Sequence, residues 1–279
     1  MQIYSGDSQM KNLRAVLRSM GEGLIGSRYI AYRLCLKDIR AEHSKSVVGL
    51  LWDFVDPLIY ASIFYVLAVS GRLQPGPMNI PVALFIVTGI MLYQTFTDAV
   101  TMPLDIIRRS RNLLTHLKLS PEALMLSVLF RVLFNAGFRV VIILATALVL
   151  LKDQFPVIGF IKFLIGFPLI VFAGMAIGIL LCPFNTIFND VGRVTRILLT
   201  PLRFATPVMY TLDDKPFAVN YIKPFNPLWD ILDSLRSIAT ENVWAYPRGT
   251  IVWMCLYLCI FLLGWFIYHL SVPILAERA

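Results

Sequence analysis

Charge is scarce in this chain: Asp, Glu, Lys and Arg make up 15% of its 279 residues, against 58% hydrophobic residues. Mean hydropathy is +0.72. A water-soluble domain of this length needs more surface charge, so the composition excludes one and predicts a polytopic membrane protein. Histidine is scarcer still. His43, His116 and His269 fall at or near the expected edges of membrane segments, where a polar interfacial side chain is a simpler reading than a catalytic base. The four cysteines, Cys35, Cys182, Cys255 and Cys259, have no redox or metal-binding spacing; small soft side chains packed in or on a span account for them. No glycine-rich loop ending in Lys-Ser/Thr is present to cradle a nucleotide, and there is no His-Glu-x-x-His and no serine elbow. Residues 1–28 lack the hydrophobic core and small-residue site of a cleavable signal, so the first span is expected to direct insertion. No catalytic residue, metal or cofactor is therefore assigned, and ATP-driven work would need an ATPase on another chain.

Positive charge is in excess, at a formal +8. It concentrates before the first span and in alternate loops, where the positive-inside bias puts it, so nucleic acid is not the expected partner. Leu13, Val16, Leu17, Met20 and Leu24 have helical spacing, with Lys11, Arg14 and Arg18 elsewhere on the wheel, which predicts an interfacial helix broken by Gly21, Gly23 and Gly26. A second one follows, with Tyr29, Tyr32, Leu36 and Ile39 on one stripe and Arg33, Lys37 and Arg40 on another.

Six apolar runs are then expected to span the bilayer, at about 47–69, 80–102, 123–151, 157–181, 194–210 and 250–270. The expected fold is an all-α membrane protein of six transmembrane helices, both termini cytoplasmic, with a cytoplasmic region over 1–46 and a transmembrane domain over 47–279. Asp53 and Asp56 lie inside the first run, with Pro57 after them, and Arg131 and Arg139 lie in the third. Charges at such depth need a partner, water or an interface, so the two aspartates are expected to line an entrance or to pair with Arg131, Arg139 or Arg203. Gly174 and Gly178 have the spacing of a close helix contact. Pro183 is expected to end the fourth span, with Asn189 or Asp190 capping the next helix. The fifth run is short and carries Pro201, Arg203 and Pro207. Between it and the last span, Phe217–Ile222 and Leu228–Ile238 are apolar but too short to cross, and read as helices dipping into the outer interface. The loop from Asp105 to Glu122 is basic, and its Ile106, Ile107, Leu113, Leu114 and Leu117 suffice for a short helix with one apolar face, a docking element for a cytoplasmic partner.

Several segments resemble one family. Lys37-Asp38-Ile39-Arg40, Ser46-Val47-Val48-Gly49-Leu50-Leu51-Trp52 and Asp56-Pro57-Leu58 are similar to the opening motif of the type-2 ABC exporter permeases that move polysaccharides. Phe188-Asn189-Asp190-Val191-Gly192-Arg193, Thr206-Pro207-Val208-Met209-Tyr210 and Phe225-Asn226-Pro227-Leu228 resemble that family's turn before the fifth span, the end of that span, and its external re-entrant region. The resemblance implies a permease homodimer with two separate nucleotide-binding subunits that bind ATP and Mg. It also implies a glycan cargo carried on a polyprenyl diphosphate or another lipid anchor, O-antigen first, with capsular polysaccharide or teichoic acid as the alternatives. A membrane-embedded transferase is the competing class, disfavoured by scattered acidic and His residues.

By the same resemblance, residues 29–46 match the gate helix, and Arg28, Arg33, Lys37 and Arg40 become candidates to hold the lipid head group. Generic attraction to anionic lipid is the alternative for them. Residues 108–118 match the coupling helix, with Arg108, Arg109, Arg111, Leu113, Leu114, His116 and Lys118 as its candidates. A sugar conduit needs aromatic faces and hydrogen-bonding groups. Trp52, Asp53, Asp56, Tyr60, Tyr65, Tyr93, Phe96, Arg139, Arg203, Phe204, Tyr210, Asn226 and Trp229 are the candidates for its lining, against the alternative that each aromatic packs in the bundle or joins an interface belt.

Overall fold

The computed structural model describes residues 13–43, 52–71, 79–110, 113–114, 119–211 and 216–278. Among them the chain forms eleven α-helices. Two precede the bundle, α1 (Leu13–Gly26) and α2 (Arg28–His43), and α3 (Trp52–Val69) and α4 (Val82–Leu104) follow. A four-residue helix α5 (Ile106–Arg109) leads to α6 (Pro121–Leu151). Then come α7 (Val157–Gly166), α8 (Pro168–Ile187) and α9 (Asn189–Ala205). A π-turn at Ala218–Ile222 and a 3-10 turn at Lys223–Phe225 precede α10 (Trp229–Glu241) and α11 (Pro247–Arg278).

Four helical stretches, not six, are long and apolar enough to cross a membrane among the described residues: Val82–Leu104, Pro121–Gln154, Val157–Ile187 and Pro247–Val272. The six-span expectation is corrected at its first and fifth members. In α3 the apolar run continues without interruption only from Leu58 to Val69, ~18 Å of helix against a hydrocarbon core of about 30 Å. α9 has 17 residues, ~26 Å, and carries Asp190, Arg193, Arg196 and Arg203. Two proline and cap expectations also change. α8 runs through Pro183 to Ile187, and α9 follows an N-cap, Phe188, that makes no side-chain bond. α1 continues through Gly21 and Gly23 before the chain turns at Ser27.

The core is the packing of α4 against α8 and α6, with α11 outside α8. Every residue of α4 from Leu84 to Tyr93 is buried. The two glycines of α8 explain how close the helices come. A Cβ on Gly174 would stand 2.5 Å from that of Ala99, and one on Gly178 would stand 2.5 Å from the Val100 carbonyl oxygen. Glycine there lets the backbones touch. At the start of α6, Ser120 is the N-cap, its Oγ accepting from Ala123 N–H at 3.3 Å, with Pro121 at the first helical position and Glu122 in the first turn.

The C-terminal ends of α4, α8 and α11 and the N-terminal ends of α6 and α9 define one end of the bundle, the end marked by Arg108 and Arg109. α1 and α2 dock there. Ser19 Oγ lies 3.2 Å from His269 Nε2, whose other ring nitrogen is 2.5 Å from the buried Glu122 carboxylate. Ser27 Oγ meets Ser120 Oγ at 2.5 Å.

At the opposite end α10 is pinned by Arg236, 2% exposed. Its guanidinium donates to Pro207 O at 2.5 Å and Val208 O at 3.2 Å, pairs with Asp233 at 3.1 Å, and stacks 3.7 Å from the Phe85 ring centroid.

Candidate functional site

At the basic end a cavity of about 520 Å³ opens between α2, the ends of α4 and α6, the α5 turn and α9. Helix spacing places its lining. Leu34, Lys37, Asp38 and Ala41 fall one turn apart on α2; Leu124, Ser127, Val128 and Arg131 do the same on α6. Asp105, Ile106 and Arg109 come from the turn after α4, and Arg196 from α9. Four cations, Lys37, Arg109, Arg131 and Arg196, thus face two carboxylates, Asp38 and Asp105. Arg196 is committed to Asp105 at 2.7 Å, and Asp38 attracts Arg131 across the cavity. Neither Lys37 nor Arg109 has a carboxylate partner among the described residues. The cavity is therefore an anion-attracting space with hydroxyls, Ser110 and Ser127, in its wall.

Beneath Lys37 and Asp38, Cys35 is buried against the bundle. Burial pushes its thiol above the usual range; Arg131 works against that shift and Asp38 with it.

Asp105 connects the cavity to a hydrogen-bond cluster centred on Asn185, which is 1% exposed. Its amide donates to Leu104 O at 2.9 Å and to Asp105 Oδ1 at 3.1 Å, and its oxygen accepts from Gly192 N–H at 2.7 Å. Arg108 donates to the Asn185 carbonyl. One side chain thereby joins the end of α4, the α5 turn, α8 and the start of α9.

Of the gate-helix candidates, Lys37 enters this cavity, while Arg28, Arg33 and Arg40 are exposed elsewhere on α2. Of the coupling-helix candidates, Arg109 and Leu113 line it, Leu114 is buried and Arg108 is turned to Asn185; Arg111, His116 and Lys118 lie outside the described residues. None of the conduit candidates with a described side chain lines it. Tyr93 and Phe96 are core residues, 1% exposed each; the Tyr93 hydroxyl donates to Leu199 O and Arg203 lies 5.3 Å over its ring. Arg139 pairs with Asp98 at 2.5 Å. Asn226 is buried and donates to Ala205 O and Thr206 Oγ1, both at 2.9 Å. Trp229 is fully buried beside Lys223, and Tyr210 donates to Phe204 O at 2.6 Å. Tyr65 and Phe204 are exposed on the outer surface. The side chains of Trp52, Asp53, Asp56 and Tyr60 fall outside the described residues.

Asp98, Asp105, Asn185, Arg196 and Arg236 are polar residues the sequence reading passed over. The signal available for them was the one used for Arg139: a charge or amide within or at the end of an apolar run. No group of His, Cys, Asp and Glu suited to a metal occurs among the described residues.

The sequence model described as "ABC-2 type transporter" matches residues 32–240, from within α2 to the end of α10. The chain is 26% identical over 218 residues to the O-antigen export system permease protein RfbA of Myxococcus xanthus, covering 77% of this chain and 82% of that protein. A protein of the same description from Klebsiella pneumoniae is 26% identical over 227 residues, covering 78% and 83%. The polysialic acid transport protein KpsM of Escherichia coli is 22% identical over 205 residues, covering 73% and 78%.

Proposed function

The chain belongs to the ABC-2 type transporter family, whose members are transport subunits and not enzymes, and from that membership we propose that it exports a lipid-linked polysaccharide, O-antigen in the first instance, across the cytoplasmic membrane. The observation that carries the reading is the extended similarity to two O-antigen export permeases, over more than three quarters of this chain. The KpsM similarity supports a capsular polymer as the second reading.

In this reading the basic end faces the cytoplasm, both termini lie there, and the working unit is two copies of this chain with two ATP-binding subunits that hold ATP and Mg. The subunits dock on the turn after α4, where Arg108, Arg109 and Leu113 sit. The anchor's diphosphate reaches the cavity under α2, where Lys37 and Arg109 face it without carboxylate partners among the described residues and supply charge-assisted hydrogen bonds. Arg28, Arg33 and Arg40 add an electrostatic approach along the exposed face of α2. The conduit itself is assembled from both copies, with Tyr65 and Phe204 presented outward from each.

Deleting the gene tests the reading. Lipid-linked polymer should accumulate on the cytoplasmic side and disappear from the cell surface, and its sugar composition decides between O-antigen and capsule. Unchanged surface glycan overturns both.

A further inference from the structure

The inward face of α9 is mixed, part polar and part apolar. Gly192, Arg196, Leu199 and Arg203 are spaced four, three and four apart, one face of a 3.6-residue helix. Every one of them makes a contact with the bundle that is polar or involves a cation. Gly192 N–H donates to Asn185, Arg196 pairs with Asp105, Leu199 O accepts from Tyr93, and Arg203 lies over the Tyr93 ring. Four apolar residues face away, Val194, Ile197, Leu198 and Phe204 at 50–62% exposed, while Leu199 is buried in the core and Leu202 packs partly against it. A helix held by a greasy face is fixed by non-directional burial. One held by a polar stripe is fixed at discrete points and follows whatever carries its partners.

The partner at the basic end is Asp105, the residue between α4 and α5. Its two carboxylate oxygens are divided: one accepts from Asn185 on α8, the other from Arg196 on α9. Asn185 has both amide hydrogens and its oxygen engaged and is 1% exposed, so it holds Asp105 in a set orientation. Arg108, in α5 itself, bonds to the Asn185 backbone. Among the described residues, the turn that carries α5 is therefore tied directly to α9 by one ion pair, and indirectly through Asn185, which bonds both Asp105 and Gly192.

We propose that Asp105 and Arg196 are positioning residues that make α9 move with the α5 turn, so that force applied at this turn by an ATP-binding subunit reaches α9. The proposal rests on the transport function above. The Arg196 side chain is 52% exposed and that of Asp105 25%, and ion pairs so open to solvent add little to fold stability. Breaking the direct link should therefore spare the fold and weaken the transmission, leaving the indirect tie through Asn185 in place.

The test uses the full chain at its own locus with its ATP-binding subunits. D105N keeps an acceptor oxygen for Asn185 but turns an amide toward Arg196, and R196Q removes the cation. Each should leave complex assembly and ATP hydrolysis near the wild-type level while surface glycan falls about fivefold or more, the low end of ordinary coupling energies. R196K should fall between. D105N/R196E, in which donor and acceptor exchange sides, should recover export beyond the sum of the single losses.

Wild-type export in D105N and R196Q, a parallel loss of assembly or hydrolysis with export, or additive losses in the double variant would each overturn the link. Those failures are separable from failure of the function itself, which would show as a wild-type chain that binds no ATP-binding subunit or exports no glycan.

Discussion

Arg139 and Asp98 close an ion pair at 2.5 Å between α6 and α4, with 12% and 24% of their side chains exposed. Arg139 is also 3.5 Å from Thr95 Oγ1. An arginine that the sequence places deep in an apolar run thus has its counter-charge on the neighbouring long helix. Removing one partner leaves the other charge buried alone, so R139L and D98L should each cost about 3 kcal/mol, read as a lower melting temperature in detergent. R139L/D98L should cost clearly less than the sum. Additivity would mean that the pair contributes nothing as a pair.

Arg236 serves α10 as Arg139 serves α6. It gathers Pro207 O, Val208 O and Asp233 around one guanidinium at a site 2% exposed, and Phe85 closes its face. A lysine has neither the fork nor the plane to reach these groups together. R236K should cost about 2 kcal/mol and R236M more, because Asp233 and two carbonyls lose their donor. Limited proteolysis between residues 206 and 228 should quicken in both, while cleavage elsewhere stays unchanged; equal protection would show that α10 is held without Arg236.

Cys35 reports on the docking of α2. Burial raises its thiol above the usual cysteine range, so the neutral, covered form is favoured. A raised folded pKa means that docking of α2 is fully favoured below the free-thiol range and weakens as the pH climbs through the raised folded value. With Cys255 and Cys259 replaced by serine, N-ethylmaleimide should modify the chain slowly at pH 7 and much faster above pH 9.0. Modification at pH 7 as fast as that of a free thiol would show that α2 does not stay docked.

Much of the fold was legible because apolar length and charge position are local properties of sequence. The long runs beginning near 80, 123, 157 and 250 each became one crossing-length stretch. The fifth run misled because Val194–Tyr210 looks apolar by composition, yet its charged residues share the inward face of α9; only the partners Asp105 and Tyr93, 91 and 106 residues away in sequence, give that stripe a meaning. The aspartates at 53 and 56 are expected from sequence to line an entrance or to pair with Arg131, Arg139 or Arg203; of these, Arg139 has Asp98 as its described partner. Nothing in one sequence ranks three acidic residues as partners for one arginine. Asn185 was invisible for a related reason: a lone amide near the end of α8 gains its role from four segments meeting around it.

The cavity under α2 separates two readings of the basic N-terminal helix. Generic attraction to anionic lipid depends on charge near the surface and is indifferent to which cation is lost. A diphosphate site depends on the cations that face the cavity, Lys37 and Arg109. K37Q/R109Q should lower surface glycan about tenfold or more, since each charge-assisted bond contributes roughly 1.5–3 kcal/mol, with the lipid-linked polymer retained inside. R28Q/R33Q/R40Q removes more charge from the exposed face yet should lower export less, and its defect should shrink as salt screens the surface in reconstituted vesicles. Equal losses from the two sets, scaling with net charge alone, would assign α2 to the lipid surface and leave the cavity without a role in cargo recognition.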